Sequence, residues 1–164
     1  MNENLKIKGA IDLFNETDAK TVLDIGCNKG YFCAMIADSI DAAVGFDYDE
    51  NCVDMAREAY NIENINYANF GIMHLDKSRQ FRYEADITVS LAVMHHFATA
   101  GLDSAEVADI ISNLSKKWII IEDIGPYGTY HRVFRDKGFE LIKRIDSQPN
   151  SRKLSLFKRK GPPL

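Results

Sequence analysis

The sequence predicts an α/β protein folded as a three-layer α/β/α sandwich around a mostly parallel sheet. Short apolar runs alternate with segments of helical periodicity, which is the pattern of parallel strands joined by crossover helices. Too few residues separate the last two runs, 139–145 and 153–157, for a crossover helix, so they are predicted to form an antiparallel hairpin. The 164 residues suffice for one domain, predicted over 1–160, with a frayed end at 161–164.

Seven apolar runs of strand length account for the predicted sheet. They lie at residues 21–25, 42–46, 65–67, 86–91, 118–121, 139–145 and 153–157. The segments with helical periodicity lie at residues 5–15, 31–39, 51–60, 104–114 and 130–137. Because helices connect most of the strands, ligands are expected at the carboxyl ends of the parallel strands.

Periodicity and capping residues support the individual helices. Asp47 and Asp49 precede the third helix, and either carboxylate could cap its N-terminus. Gly138 is predicted to end the fifth helix, because glycine accepts the left-handed backbone found there. The side chains predicted to face the core are Leu5, Ile7, Ile11 and Phe14 of the first helix and Phe32, Met35 and Ile36 of the second.

Composition is that of an ordinary globular protein. Hydrophobic residues make up 46% and charged residues 27%, which excludes a disordered, collagen-like or coiled-coil chain. No apolar run approaches the roughly 18 residues of a membrane span, and the N-terminus lacks a signal-peptide core. Cys27, Cys33 and Cys52 are odd in number and lack CxxC spacing, so they are predicted to be reduced thiols. These features predict a cytoplasmic protein without membrane contact.

Charge is distributed unevenly along the chain. The formal net charge is -4, yet residues 131–164 carry ten lysines and arginines against three acidic residues. Such a basic segment could meet an anionic partner such as RNA. The alternative is a solvated sheet edge that charged side chains protect against aggregation.

The most informative segment is VLDIGCNKGYF at residues 22–32, which ends a strand, turns sharply and opens a helix. Gly26 and Gly30 permit positive φ, and Asn28 is of a type that also enters the left-handed region. Such a turn brings backbone N–H groups and a helix N-terminus close to a ligand. The dinucleotide pattern of three glycines fails, because Asn28 and Tyr31 occupy its second and third positions. The alternative is a tight turn that binds nothing.

Asp47 argues for a ligand at this turn. It ends the second predicted strand, beside the glycine loop if that strand neighbours the first. An ionised carboxylate only accepts hydrogen bonds, so its two oxygens suit the vicinal hydroxyls of a ribose. The alternative is that Asp47 caps the following helix.

These segments together resemble the class I S-adenosylmethionine-dependent methyltransferase family. The resemblance covers residues 20–160 and depends on VLDIGCNKG at 22–30, GFD ending at Asp47, DITVSLAVMHHF at 86–97 and WIIIED at 118–123. It implies a Rossmann-like methyltransferase fold, with seven strands in the order 3-2-1-4-5-7-6 and the seventh strand antiparallel. Asn28 departs from the glycine most common in the family at that position.

The resemblance implies S-adenosyl-L-methionine as cofactor and S-adenosyl-L-homocysteine as product. It implies that Asp47 binds the ribose diol and that Tyr48 lies near the adenine. It also implies that Leu91 and Ala92 line the sulfonium end of the site. Many members place an acid after the third strand; here the adenine amino group is assigned to Asn69, with Phe70 packing on the ring. The residues implied at the methionyl end are Asp24, Gly26, Cys27, Asn28 and Gly30.

His95 and His96 follow the fourth strand at the expected mouth of the site. Imidazole can accept a proton near neutral pH, so either histidine is a candidate general base, and His96 is preferred as the inward one. The alternative is that both only shape the pocket. A metal site would need a third ligand that no spacing supports, so no metal is predicted.

The substrate and the partners are less constrained. Glu122, Tyr127 and His131 are candidate substrate residues, because they end or follow the fifth strand. The main hypothesis is methyl transfer to an oxygen or nitrogen of a small molecule or biosynthetic intermediate. The alternatives are an RNA methyltransferase and a non-catalytic cofactor-binding subunit of a complex. A partner subunit is an open alternative, because almost no residues remain for a substrate lid.

Overall fold

A computed structural model describes residues 2–69, 83–91, 96–97, 101–123, 129–147 and 152–161. The strands are β1 (Thr21–Ile25), β2 (Ala42–Asp47), β3 (Ile65–Asn69), β4 (Ala85–Ser90), β5 (Ser115–Asp123), β6 (Phe139–Asp146) and β7 (Lys153–Arg159). The helices are α1 (Asn2–Phe14), α2 (Tyr31–Ile36), α3 (Glu50–Ala59), α4 (Ser104–Leu114) and α5 (Thr129–Asp136).

One seven-stranded sheet carries the fold, in the order β3-β2-β1-β4-β5-β7-β6. Every neighbouring pair from β3 to β5 is parallel, whereas β7 is antiparallel to both β5 and β6. The predicted fold class, strand order and terminal hairpin are confirmed. Because β2 and β4 flank β1, the segments that follow these three strands meet at one edge of the sheet.

Two apolar clusters cover the faces of the sheet. One joins α1 and α2 to the sheet through Leu13, Phe32 and Trp118. The other joins α4 and α5 to the opposite face through Ile111, Phe134 and other side chains. The sheet is therefore the middle layer of three, with helices packed on both of its faces.

Two of the predicted core residues are exposed. Leu5 is 56% exposed, because α1 buries the stripe formed by Ala10, Leu13 and Phe14 and leaves Leu5 beside an open groove. Met35 is 54% exposed, since the buried side chains of α2 are Phe32, Cys33 and Ile36 and Met35 lies outside that arc. Those two predictions were wrong.

Several boundaries also differ from the predictions. The predicted helix at 31–39 is an α-helix only to Ile36 and ends in a 3-10 turn, Ala37–Ser39. Strand β5 starts at Ser115, three residues before the predicted run, because α4 passes into it directly. Helix α5 ends at Asp136, one residue before the predicted end, and the predicted stop at Gly138 is confirmed just beyond it, with a φ of 83° and its N–H donating to the Arg135 carbonyl at 3.0 Å.

Within the described residues, no helix combines the length and the apolar character needed to cross a membrane.

Candidate functional site

The loop between β1 and α2 has the left-handed backbone that its sequence predicts. Gly26, Asn28 and Gly30 have φ values of 80°, 49° and 76°. The N–H groups of Gly26 and Cys27 both donate to the Phe46 carbonyl, at 2.7 and 2.9 Å. The loop is therefore fastened to the end of β2, which explains why it lies beside Asp47.

Gly30 is also a point of close approach. The Tyr67 hydroxyl donates to the Gly30 carbonyl at 2.8 Å, and a Cβ added at Gly30 would lie 2.6 Å from the Tyr67 ring. Tyr67 belongs to β3 and is buried. Glycine is thus required here both by its positive φ and by the space available.

The Asp47 carboxylate is hydrogen-bonded to the same loop. Asp47 is 8% exposed; Oδ2 accepts from the Asn28 N–H at 2.8 Å and Oδ1 accepts from the Asp49 N–H at 3.0 Å. Asp49 is the N-cap of α3, because its carboxylate accepts from the Asn51 N–H at 3.0 Å. The two carboxylates have separate roles, and the alternative that Asp47 caps α3 is not what the structure shows.

Asp24 lies beneath the loop and is almost fully buried. Burial raises the pKa of its carboxyl to about 7, and the charge of Asp47 adds to this rise. The Cys33 thiol, which donates to Oδ2 at 3.7 Å, and the charge of Lys6 lower the pKa in part. Near neutral pH this carboxyl is therefore poised between its neutral and ionised forms.

All three cysteines are free thiols. Burial raises the pKa of Cys27 and raises that of Cys33 well above its usual range. The pKa of Cys52 is also raised, by desolvation and by the nearby Asp49 carboxylate. These thiols are neutral near pH 7 and contribute no charge to the site. Across the residues with described positions, no group of three histidine, cysteine or acidic side chains could hold a metal ion.

A cavity of about 500 Å³ opens above the loop, within the size range of small-molecule sites. It lies at the carboxyl ends of β1, β2 and β4. Its lining residues are Lys6, Ile7, Asp24, Gly26, Cys27, Asn28, Lys29, Tyr31, Phe32, Asp47, Tyr48, Asp49, Cys52, Tyr60, Leu91 and His96.

The cavity brings together most of the described residues that the sequence assigned to the cofactor. Asp24, Gly26, Cys27, Asn28, Asp47, Tyr48 and Leu91 all line it. Gly30 contacts Tyr67, and Asn69 at the end of β3 is the parallel-sheet register partner of Asp47 in β2. Four predicted residues, Phe70, Ala92, His95 and Tyr127, lie outside the described residues.

Lys6 is a cavity residue that the sequence analysis missed. It lies on α1 and lines the cavity close enough to Asp24 for its charge to lower the pKa of that carboxyl. The available signal was its spacing, because Lys6 falls on the same helical stripe as the buried Ala10 and Leu13. A lysine on an otherwise apolar stripe indicates that the stripe extends beyond the core.

His96 also lines the cavity, but on the side of Tyr48. The centroids of the two rings are 5.7 Å apart and the ring planes are inclined by 48°. Tyr48 directly follows Asp47 at the end of β2. The structure therefore groups His96 with the residues that the sequence assigned to the adenosine.

Glu122 and His131 do not line this cavity. Glu122 is fully buried; Oε1 accepts from the Ser147 hydroxyl at 3.0 Å, and Oε2 lies 3.9 Å from an Arg152 nitrogen. The His131 ring packs edge-on against Phe157 at 4.9 Å. Their substrate roles remain predictions, and both side chains contact the terminal hairpin.

Comparison with known proteins gives a family match over almost the whole chain. A family model described as a methyltransferase domain matches residues 4–160. A probable S-adenosylmethionine-dependent methyltransferase of Mycolicibacterium smegmatis is 31% identical over 77 residues, which is 47% of this chain. The match spans only 28% of that relative's length.

Solved structures with a similar fold include two methyltransferases. One is the magnesium protoporphyrin IX methyltransferase of Synechocystis with bound S-adenosylmethionine, with a TM-score of 0.80, 14% identity, and coverage of 97% of this chain and 80% of that one. The other is the N-methyltransferase NodS of Bradyrhizobium japonicum, with a TM-score of 0.78, 15% identity, and coverage of 98% and 97%.

A third similar structure is a putative methyltransferase in complex with the Haloferax volcanii Trm112 methyltransferase activator. Its TM-score is 0.72 at 13% identity, with coverage of 98% of this chain and 94% of that one. At these identities the likeness of all three structures concerns the fold. The match of the family model over residues 4–160 shows that the chain belongs to the methyltransferase-domain family, among the class I S-adenosylmethionine-dependent methyltransferases.

Proposed function

We propose that the protein binds S-adenosylmethionine in the cavity above the glycine loop and transfers its methyl group to an oxygen or nitrogen of a small molecule or biosynthetic intermediate. The observation that carries this proposal is the hydrogen bond between the glycine loop and the Asp47 carboxylate. The Asn28 N–H donates to the Asp47 carboxylate at 2.8 Å, so a diol acceptor and an open backbone turn form one unit.

The lining of the cavity suits each part of this cofactor. Asp47 lines the cavity, and an ionised carboxylate accepts hydrogen bonds of the kind that ribose hydroxyls donate. Gly26 has no side chain that could obstruct a ligand at its position in the turn. Leu91 offers an apolar contact at the end of β4.

The charges at the methionyl end support the same assignment. The amino-acid part of the cofactor carries an ammonium and a carboxylate. Asp24 and Lys6 line the same cavity with opposite charges, and Lys6 acts on Asp24 electrostatically. We assign the ammonium to the Asp24 side and the carboxylate to Lys6.

S-adenosylmethionine, when bound, would supply a sulfonium methyl group: the acceptor lone pair would form a bond to the methyl carbon in line with the carbon–sulfur bond that breaks, and S-adenosylhomocysteine would leave. The role of the chain is to hold and orient the reacting groups and to exclude water. Helix α1 contributes to this exclusion, because Lys6 and Ile7 line the cavity.

Calorimetric titration tests the proposal. S-adenosylhomocysteine should bind with one site per chain, and NAD should not bind. The transfer itself is tested with methyl-labelled S-adenosylmethionine and a panel of hydroxylated and amine acceptors, with bulk RNA as a separate arm. Binding of NAD without binding of S-adenosylhomocysteine would overturn the proposal.

The basic C-terminal segment gives little support to an RNA substrate. Part of its charge is paired within the chain. Among the described residues, six of its ten cations form ion pairs, and three of the partner carboxylates, Glu16, Asp109 and Glu122, lie outside the segment. The paired cations are Arg135, Lys137, Lys143, Arg152, Lys153 and Lys160. Arg159 donates instead to carbonyls that include those of Ser112 and Ser115. The interpretation as a charged sheet edge is therefore favoured, and steeply salt-dependent RNA binding would reverse it.

A partner subunit is a second proposal, supported by the similar structure that was solved with the Trm112 activator. In that case the isolated chain would bind cofactor but transfer methyl groups only with its partner. Comparing methyl transfer by the isolated chain with transfer by the chain purified in its native complex distinguishes the two cases.

A further inference from the structure

The Tyr48 and His96 rings lie close together in the lining of the cavity. Tyr48 directly follows β2 and His96 lies six residues after the last residue of β4, and these two strands lie on opposite sides of β1. Since neighbouring strands are about 4.8 Å apart, these two strands are separated by about 10 Å. The segments that follow β2 and β4 therefore bring the two rings together, with centroids 5.7 Å apart, and both residues line the cavity.

The backbone at both ends of this contact is held in place. Tyr48 stands between Asp47 and Asp49, where the Asp47 carboxylate accepts from the Asp49 N–H at 3.0 Å. Beside His96, the Phe97 side chain is buried in the core, and its carbonyl accepts from the Leu102 N–H at 3.0 Å. The contact is thus between two anchored positions, although Tyr48 itself is 54% exposed.

We propose that Tyr48 and His96 form an aromatic roof over the adenosine part of the bound cofactor, and that His96 is a cofactor-binding residue and not the general base. This inference rests on the proposed function. Both rings line the cavity next to Asp47, the ribose acceptor. A purine offers flat faces and edges that aromatic side chains contact favourably.

An aromatic roof and a general base require different properties of the side chain at position 96. A roof needs an aromatic ring of about the right size at position 96, whereas a base needs a titratable nitrogen. Phenylalanine supplies the ring without the nitrogen, and alanine supplies neither. The pair of variants His96→Ala and His96→Phe therefore separates the two roles.

The experiment is a calorimetric titration of S-adenosylhomocysteine into the parent and both variants, each checked for folding by its melting temperature. His96→Ala should weaken binding by about tenfold, as expected for loss of one aromatic contact to a base. His96→Phe should bind within about threefold of the parent. Equal binding by His96→Ala and the parent would overturn the proposal, as would a His96→Phe variant as weak as His96→Ala.

Failure of the proposed function would appear separately, as a parent chain that does not bind S-adenosylhomocysteine. A double variant tests the pairing: because the two rings touch, the losses of Tyr48→Ala and His96→Ala should be less than additive in free energy. Strictly additive losses would mean that the rings act independently and that no roof exists.

A fragment of the cofactor locates the contact. 5′-Methylthioadenosine keeps the adenosine and lacks the amino-acid part. His96→Ala should weaken it by the same factor as S-adenosylhomocysteine, whereas Lys6→Ala should weaken only S-adenosylhomocysteine. An effect of His96→Ala on S-adenosylhomocysteine alone, or no binding of methylthioadenosine to the parent, would contradict an adenosine roof.

Discussion

Two buried carboxylates lie at the same edge of the sheet, Asp47 at the end of β2 and Glu122 near the end of β5, and they differ in their hydrogen-bond partners. Asp47 accepts from backbone N–H groups of the glycine loop and of Asp49, and it lines the cavity. Glu122 accepts from the Ser147 side chain and lies near Arg152, away from that cavity.

The difference shows that a carboxylate at a strand end does not by itself mark a ligand site. The backbone N–H that donates to Asp47 holds this carboxylate beside a loop that can bind a ligand. Side-chain partners from a hairpin make it part of an internal polar cluster. Substitutions near Asp47 of β2 and at Glu122 of β5 can test this distinction.

The largest effect is expected at Gly30. Gly30→Ala places a Cβ 2.6 Å from the Tyr67 ring at a φ of 76°, so the loop must move. Left-handed strain and overpacking together should cost roughly 2 to 5 kcal/mol of unfolding free energy. Urea denaturation measures this cost, and calorimetry should detect no cofactor binding.

Gly138→Ala is the matched control for Gly30. Its φ is 83°, but a Cβ there would meet nothing within 4 Å. It should show only the strain of the backbone, about 1 to 2 kcal/mol, with cofactor affinity intact. Equal losses of stability in the two variants would mean that the contact with Tyr67 is not important.

Asp24 should make stability depend on pH. Because burial raises its pKa from 3.8 to about 7, the folded protein keeps a proton that the unfolded chain releases between these values. The contribution of Asp24 to the unfolding free energy is therefore highest below pH 4 and falls by about 4 kcal/mol by the time pH exceeds 7.

Asp24→Asn cannot titrate and should lose this contribution to the pH dependence. Urea denaturation of parent and variant at pH 4.5 and pH 8 measures the difference. A bound ammonium should also favour the ionised Asp24, so cofactor binding near pH 6.5 should release a proton. Calorimetry in buffers of different ionisation enthalpy detects it, and identical pH profiles of parent and variant would refute the assignment.

Asp47→Ala should weaken binding of S-adenosylhomocysteine by roughly 1.5 to 3 kcal/mol, about 10- to 150-fold, because charge-assisted hydrogen bonds are lost. The Asn28 N–H loses its acceptor in the same variant. The control is Asp103→Ala, which removes the N-cap of α4 far from the cavity and should cost only about 1 kcal/mol of stability. Parent-like affinity of Asp47→Ala would remove the ribose assignment.

The smallest effect on cofactor affinity is expected for Glu122→Gln. The amide can still accept from the Ser147 hydroxyl, and only the charge opposite Arg152 is lost. Affinity for S-adenosylhomocysteine should change less than about threefold, while stability falls by about 1 kcal/mol. A large loss of affinity would place Glu122 in the cofactor site and remove the contrast with Asp47.

The strands, the helices and the glycine loop could be predicted because they depend on local signals, such as the residue types of Gly26, Asn28 and Gly30, which permit positive φ. The strand order does not depend on local signals and was implied by the family resemblance. The site residues that were missed or displaced depend on contacts distant in sequence. The position of Lys6 depends on how α1 packs, where a Cβ at Gly9 would lie 3.0 Å from Leu154.

The same reason accounts for Glu122 and His96. The hydrogen-bond partner of Glu122, Ser147, is 25 residues away along the chain, and no sequence spacing predicts this contact. The contact between Tyr48 and His96 joins segments that follow two strands on either side of β1. Periodicity predicted the edge of the sheet on which these residues lie, but not their neighbours there.

The central claim is that the loop and Asp47 form one cofactor site at the end of β1 and β2. A crystal structure of the chain soaked with S-adenosylhomocysteine tests it most directly. The account predicts the ribose hydroxyls on the Asp47 carboxylate, the amino-acid part near Asp24 and Lys6, and the adenine beneath Tyr48 and His96. Density for the ligand elsewhere, or a ribose without contact to Asp47, would contradict it.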